Sequence, residues 1–106
     1  KRIAVITSSE GSIADVKSPR QPFYRGSKAA VNMVMRNVAY AVKDKGVIVT
    51  LVNPGPVDTD MMAGARGRMP LREVPTAAKD VIAVIAKTTM EKTGTFQSFD
   101  GTDLPW

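Results

Sequence analysis

Residues 24–52 read YRGSKAAVNMVMRNVAYAVKDKGVIVTLV, and the change of character at Gly46 decides the fold. Between Tyr24 and Lys45 there is no proline. Val31, Val34, Met35, Val38, Ala41 and Val42 fall at three- and four-residue spacing, which is one apolar stripe of an amphipathic helix. Gly46 stands where a helix ends in a left-handed cap. Val47-Ile48-Val49-Thr50-Leu51-Val52 then runs apolar with no alternation, as a strand covered on both faces does. A second run of that kind, Arg2-Ile3-Ala4-Val5-Ile6-Thr7, lies ahead of the helix. Strand, helix, strand is a βαβ unit, and its two strands are expected to be parallel.

Outward from this unit, Ser8-Ser9-Glu10-Gly11-Ser12 is a polar, turn-forming cluster, and Ile13 to Phe23, with Pro19 and Pro22, reads as a loop. Asn53-Pro54-Gly55-Pro56 stops the second strand, because prolines cannot continue a ladder. Val57 to Arg72 reads as a short helix plus a mobile loop. Pro75 opens a second helix through Val81, Ile82, Val84 and Ile85 to Thr88, with Thr76 or Pro75 near its start. Thr95-Phe96-Gln97-Ser98-Phe99 alternates like a third, more exposed strand, and Asp100-Gly101 is a turn. The expected architecture is α/β, a doubly wound parallel sheet with about three strands and a long crossover helix. A complete sheet of this kind, with six strands at about 30 residues per step, needs about 180 residues. Residues 1–106 are therefore expected to be the C-terminal, catalytic half of one larger domain, without its N-terminal half.

Composition narrows the chemistry. The chain has 106 residues, 43% of them hydrophobic, with no cysteine and no histidine. Zinc-ribbon sites, cysteine nucleophiles and Ser-His-Asp triads are excluded, and no metal site is expected. Catalysis must use Ser, Tyr, Lys, Arg or carboxylates. No apolar run approaches the ~18 residues that span a bilayer, so a soluble, cytoplasmic protein without a membrane partner is expected. The net charge of +5 invites a nucleic-acid reading. The basic residues form no run longer than two, and the six aromatic residues do not interleave with them, so no nucleic-acid partner is expected.

Tyr24 and Lys28, four residues apart at the start of the long helix, share a face. An ammonium group a few ångströms from a phenol favours the phenolate, which makes such a pair a proton donor and acceptor for carbonyl/alcohol interconversion. By itself the pair is weak, since a helix start with a snorkelling lysine looks the same. Its setting sharpens it. Ser8, Ser9 and Ser12 follow the first strand, and Asn53 to Thr59 follows the second, with a glycine that lets backbone approach a ligand closely. Both loops belong to the carboxyl ends of strands, where open α/β sheets bind ligands.

Ile6-Thr7-Ser8-Ser9, then Tyr24-Arg25-Gly26-Ser27-Lys28-Ala29-Ala30-Val31-Asn32-Met33, then Val52-Asn53-Pro54-Gly55-Pro56-Val57-Asp58-Thr59-Asp60-Met61 together resemble the C-terminal half of a short-chain dehydrogenase/reductase. The ending Phe99-Asp100-Gly101-Thr102-Asp103-Leu104-Pro105-Trp106 is similar to that of the C-factor-like members. The resemblance implies a Rossmann-like fold and hydride transfer between NAD or NADP and a small carbonyl or alcohol substrate. Tyr24 would be the general acid/base, and Lys28 would support it and bond the nicotinamide ribose. A serine would polarise the carbonyl. Ser9 would be that serine, with Ser8 and Ser12 as alternatives. Pro54, Gly55, Val57 and Thr59 would line the cofactor together with Tyr24 and Lys28. Residues 61–72 would cover the substrate, and Arg66 and Arg68 there could meet an anionic one, although solvated charge explains them as well. The long helix, Tyr24–Lys45, would pair with its twin in a homodimer or homotetramer. The family's glycine-rich phosphate loop and its further catalytic asparagine are not among these residues. The alternative is a non-catalytic module that docks to a partner through the long helix.

Overall fold

Strands β1 (Arg2–Ile6) and β2 (Ile48–Asn53) pair in parallel, with Ile3 opposite Val49 and Val5 opposite Leu51, in the computed structural model, which describes residues 1–106. Strand β3 (Phe96–Ser98) adds in parallel on the far side of β2, giving the order β1-β2-β3. The crossover from β1 to β2 is helix α1 (Pro22–Val42), and helix α2 (Val74–Lys87) joins β2 to β3. Alternation along β2 divides its side chains between two layers. Val49 and Leu51 meet Ala39 of α1 and Phe96, with Met35, Val38 and Trp106 packed around them; Val52 meets Val81 and Val84 of α2. One helix on each face is the doubly wound arrangement.

Helix α1 begins two residues before Tyr24. Pro22 is accommodated in the first turn, where its missing N–H would have had no helical partner. After Val42 a single 3-10 turn, Lys43–Lys45, ends on Gly46 at φ 71°, the cap expected from sequence. The buried face is rotated from the apolar stripe. Val34 is 58% exposed, while Asn32 and Ala39 are buried. Asn32 is drawn inward because its Oδ1 accepts a 2.7 Å hydrogen bond from the Thr7 hydroxyl. Ala39 is small enough for the Gly94 backbone to lie against it. A Cβ on Gly94 would come within 2.9 Å of the Ala39 Cβ, and Gly94 has φ 77°. Gly94→Ala is therefore expected to lower stability by about 1–3 kcal/mol, by overpacking together with backbone strain; chemical denaturation measures it.

Both outer strands depart from expectation. β1 was expected to be covered on both faces, yet Ile3 and Ile6 are exposed, because it is an edge strand paired only with β2. β3, expected to be the more exposed strand, is buried at all three positions. The chain returns past it: Leu104 N–H bonds Phe96 O at 2.7 Å, Gln97 bridges Asp103, and the Trp106 ring stacks on Phe96 with centroids 5.5 Å apart. Gln97 is tolerated there because its amide donates to the Thr88 and Thr95 hydroxyls at 3.2 and 3.3 Å. In the turn before that return, the Thr102 hydroxyl and N–H both donate to Asp100 and hold its carboxyl below the ordinary carboxylate range. A lowered value means that this support is present at neutral pH and is lost as the pH falls through it.

Candidate active site

Parallel pairing puts the ends of β1 and β2 side by side, joined by Thr7 N–H to Val52 O at 2.9 Å. The serine loop and the Pro-Gly loop thus leave the sheet from one rim. The first residues after β1 turn sharply. The Ser8 hydroxyl accepts from Glu10 N–H at 3.1 Å and caps a single 3-10 turn, Ser9–Gly11. Ser12 is only 2% exposed and its hydroxyl accepts from Asp15 N–H at 3.3 Å, so it is turned into the protein. Ser8 and Ser9 remain half-buried at the rim.

Three contacts press this turn onto α1. Glu10 pairs with Arg25 at 2.7 Å, Gly11 lies against the Lys28 backbone, and Thr7 bonds Asn32. Residues 25, 28 and 32 stand at i, i+3 and i+7, one face of the helix, so the turn is seated along nearly two helical turns. Gly11 is required by space. A Cβ there would sit 2.9 Å from the Lys28 carbonyl carbon and 3.0 Å from Asn32 Nδ2. Glu10 also pairs with Arg20, and Arg25 donates to Ser18 O at 2.9 Å, which fastens the intervening loop. Tyr24 and Lys28 lie one turn apart and half-buried, with Lys28 Nζ 5.8 Å from the Tyr24 ring centroid. The serine turn is therefore anchored on the same stretch of helix that carries the tyrosine and the lysine.

Glu10→Gln removes the charge from the Arg25 pair, whose side chains are only 14% and 26% exposed. A stability loss of about 0.5–1.5 kcal/mol is expected by chemical denaturation, with Glu10→Asp in between; an unchanged midpoint would show the pair to be idle.

After β2, Asn53 Oδ1 accepts from Gly55 N–H at 3.3 Å and closes the Pro54-Gly55 turn. Gly55 was expected to admit a ligand. Its φ is 78°, and the space a Cβ would occupy is taken by the chain itself, by the Phe99 ring at 2.8 Å and Arg72 Cδ at 3.1 Å. The glycine therefore serves close packing behind the turn. The segment 57–72 contains a 3-10 helix, Asp60–Ala65, and is closed at its base by the Val57 to Arg72 bridge. Arg66 is paired with Asp58 at 2.5 Å, so its charge is already matched. The Val57 N–H has no partner within the chain, and Thr59 caps the 3-10 helix without a side-chain bond, which leaves its hydroxyl free. Glu10, Arg25, Asn32 and Arg72 were not singled out from sequence. The one local signal was a polar Asn32 beside an apolar stripe.

The fold and these residues have relatives. A family profile described as short chain dehydrogenase matches residues 2–69. C-signal of Myxococcus xanthus is 34% identical over 106 residues, all of this chain and 61% of that protein. The 1-hydroxy-2-glutathionyl-2-methyl-3-butene dehydrogenase of Rhodococcus sp. (strain AD45) is 38% identical over 105 residues, 99% of this chain and 46% of that one. Among solved structures, the carbonyl reductase Sniffer of D. melanogaster superposes with a TM-score of 0.89 at 30% identity, over 99% of this chain and 41% of that chain. An NADPH-bound carbonyl reductase from chicken fatty liver does so with a TM-score of 0.86 at 27% identity, over 99% and 42%. The chain thus spans about half the length of the relatives it matches. With most of its length matched by the family profile, the chain belongs to the short-chain dehydrogenase/reductase family.

Proposed function

We propose that these residues are the catalytic half of an NAD(P)-dependent oxidoreductase that interconverts a carbonyl and an alcohol in a small substrate. The observation that carries this reading is the seating of the serine turn on the helix face beside Tyr24 and Lys28, through Glu10, Gly11 and Thr7. The donor set fits the nicotinamide end of a dinucleotide. The Lys28 ammonium has no carboxylate partner, and the Val57 N–H and Thr59 hydroxyl are unbonded, so ribose hydroxyls and a carboxamide would find partners there. Lys28, Pro54, Val57 and Thr59 would hold that end, with Tyr24 beside it and Gly55 shaping the turn that presents Pro54, Val57 and Thr59.

Bound NAD(P) supplies the hydride, or accepts it in the reverse direction. During reduction the carbonyl carbon gains a C–H bond, and the π electrons move to its oxygen. That oxygen takes the proton of the Tyr24 hydroxyl, so the O–H bond of tyrosine breaks as that of the alcohol forms. Lys28 stabilises the phenoxide left behind. Ser9, with Ser8 beside it, donates a hydrogen bond to the same oxygen and supports the charge that develops on it. Oxidation of the alcohol runs these transfers backward.

The exposed apolar residues of β1 and the share of the relatives' length matched both support a role as the C-terminal part of a longer domain. A second copy is the favoured partner of α1, whose outer face exposes Met33, Val34 and Tyr40. No helix is long and apolar enough to cross a membrane. The test is nicotinamide absorbance with the full-length protein and a panel of aldehydes and ketones. Carbonyl-dependent oxidation of NADPH or NADH is expected, and its absence across the panel would overturn the proposal.

A further inference from the structure

We propose that Arg72 is a positioning residue that fixes the Pro54-Gly55 turn at the mouth of the dinucleotide site, an inference that rests on the oxidoreductase reading above. Its guanidinium is largely buried, 17% exposed, and has three partners at once. Nη1 donates to Pro54 O at 2.7 Å, Nη2 pairs with Asp80 of α2, and the group lies over the Phe99 ring, 3.8 Å from its centroid. The Arg72 backbone adds two more ties. Its N–H donates to Pro56 O at 2.7 Å, and its carbonyl accepts from Asp58 N–H at 2.8 Å.

These bonds converge on one peptide. The Pro54 carbonyl and the Gly55 nitrogen share a plane, and Gly55, at φ 78°, is the residue about which that plane turns most cheaply. A charge-assisted bond from a largely desolvated guanidinium holds the carbonyl on the Arg72 side, and the Phe99 ring closes the space behind the glycine. The unbonded Val57 N–H and Thr59 hydroxyl follow within five residues, so a turn that swings carries them with it. Asp80 in turn fixes Arg72 to α2, which packs on Val52 of the same strand. The Val57 to Arg72 bridge closes the base of the intervening loop directly beside the turn.

A lysine cannot reproduce this. Its ammonium offers its donors from a single point, without the planar two-nitrogen fork that reaches the Pro54 carbonyl and Asp80, and it has no planar face for Phe99.

In the full-length protein, NADPH and NADH are titrated by fluorescence while hydrogen exchange is followed over residues 53–57. Arg72→Ala is expected to weaken nucleotide binding about tenfold and to speed exchange in that segment. At saturating nucleotide kcat is expected to fall much less, because Tyr24, Lys28 and the serine turn are held by α1. Arg72→Lys is expected to fall between wild type and Arg72→Ala, and Asp80→Asn to weaken binding about threefold, the share of one exposed partner. Wild-type affinity with wild-type exchange in Arg72→Ala would overturn the proposal, and so would Arg72→Lys indistinguishable from wild type. If Arg72→Ala does not fold, unchanged affinity in both Arg72→Lys and Asp80→Asn overturns it. A wild-type protein that binds neither nucleotide overturns the oxidoreductase reading, and the exchange measurement still decides whether Arg72 holds the turn.

Discussion

Tyr24→Phe in the full-length protein is expected to lower hydride transfer by about 10²- to 10⁴-fold, the range spanned by losing a positioned general acid. Nucleotide binding should persist, because the donors assigned to it, Lys28, Val57 and Thr59, are untouched. The phenol is half-buried at the head of α1, and Phe keeps the ring, so stability should change by no more than about 0.5 kcal/mol. Separating these readouts matters. A loss of rate together with lost binding would mean that the helix start had moved, whereas a loss of rate alone isolates the proton. Turnover by Tyr24→Phe at the wild-type rate would sink the proton-transfer role.

The parts of this fold that were legible in sequence are those set by periodicity. The apolar run before Asn53 and the proline-free stretch after Phe23 each reflect a short-range pattern, and β2 and α1 follow from them. What periodicity leaves out is the identity of the neighbour. β1 reads like β2, yet one lies at the edge and the other at the centre, because coverage depends on elements distant in the chain. β3 reads as half-exposed, and the returning Leu104 and Trp106 bury it. The site shows the same division. Tyr24 and Lys28 could be paired from their spacing, since four residues along a helix are neighbours in space. Arg72 could not, because its partners Pro54, Asp80 and Phe99 come from three separate elements, and nothing in the local sequence distinguishes it from Arg66 or Arg68. The role of Gly55 was half legible. A turn with a glycine open to close approach was visible in Pro-Gly-Pro, but what approaches it is the protein's own Phe99.

Gly11→Ala is the complementary test, since it alters none of the proposed catalytic side chains and changes only where the serine turn can sit. Gly11 has no positive φ, so alanine meets no backbone penalty there and its effect is one of volume. The added methyl would fall 2.9 Å from the Lys28 carbonyl carbon and 3.0 Å from Asn32 Nδ2, and the nearest atom is helix backbone, which cannot rotate aside. The turn must lift from α1, carrying Ser8 and Ser9 with it and loosening the Thr7 to Asn32 bond. A displacement of about 1 Å at a reacting centre costs about 100-fold in rate, and overpacking of this kind costs about 1–3 kcal/mol in stability. Both losses are expected in Gly11→Ala, with nucleotide affinity close to wild type because the Pro54 to Thr59 segment is anchored separately through Arg72. Gly26→Ala provides the control. Gly26 lies in α1 between Tyr24 and Lys28 with nothing within 4 Å of its missing Cβ. Alanine there should raise helix stability by about 0.5–1 kcal/mol and leave turnover unchanged. If Gly11→Ala behaves like Gly26→Ala in rate, the serine turn is not held to α1 by close packing, and the positions of Ser8 and Ser9 must be set by the Glu10 to Arg25 pair and the Thr7 to Asn32 bond alone.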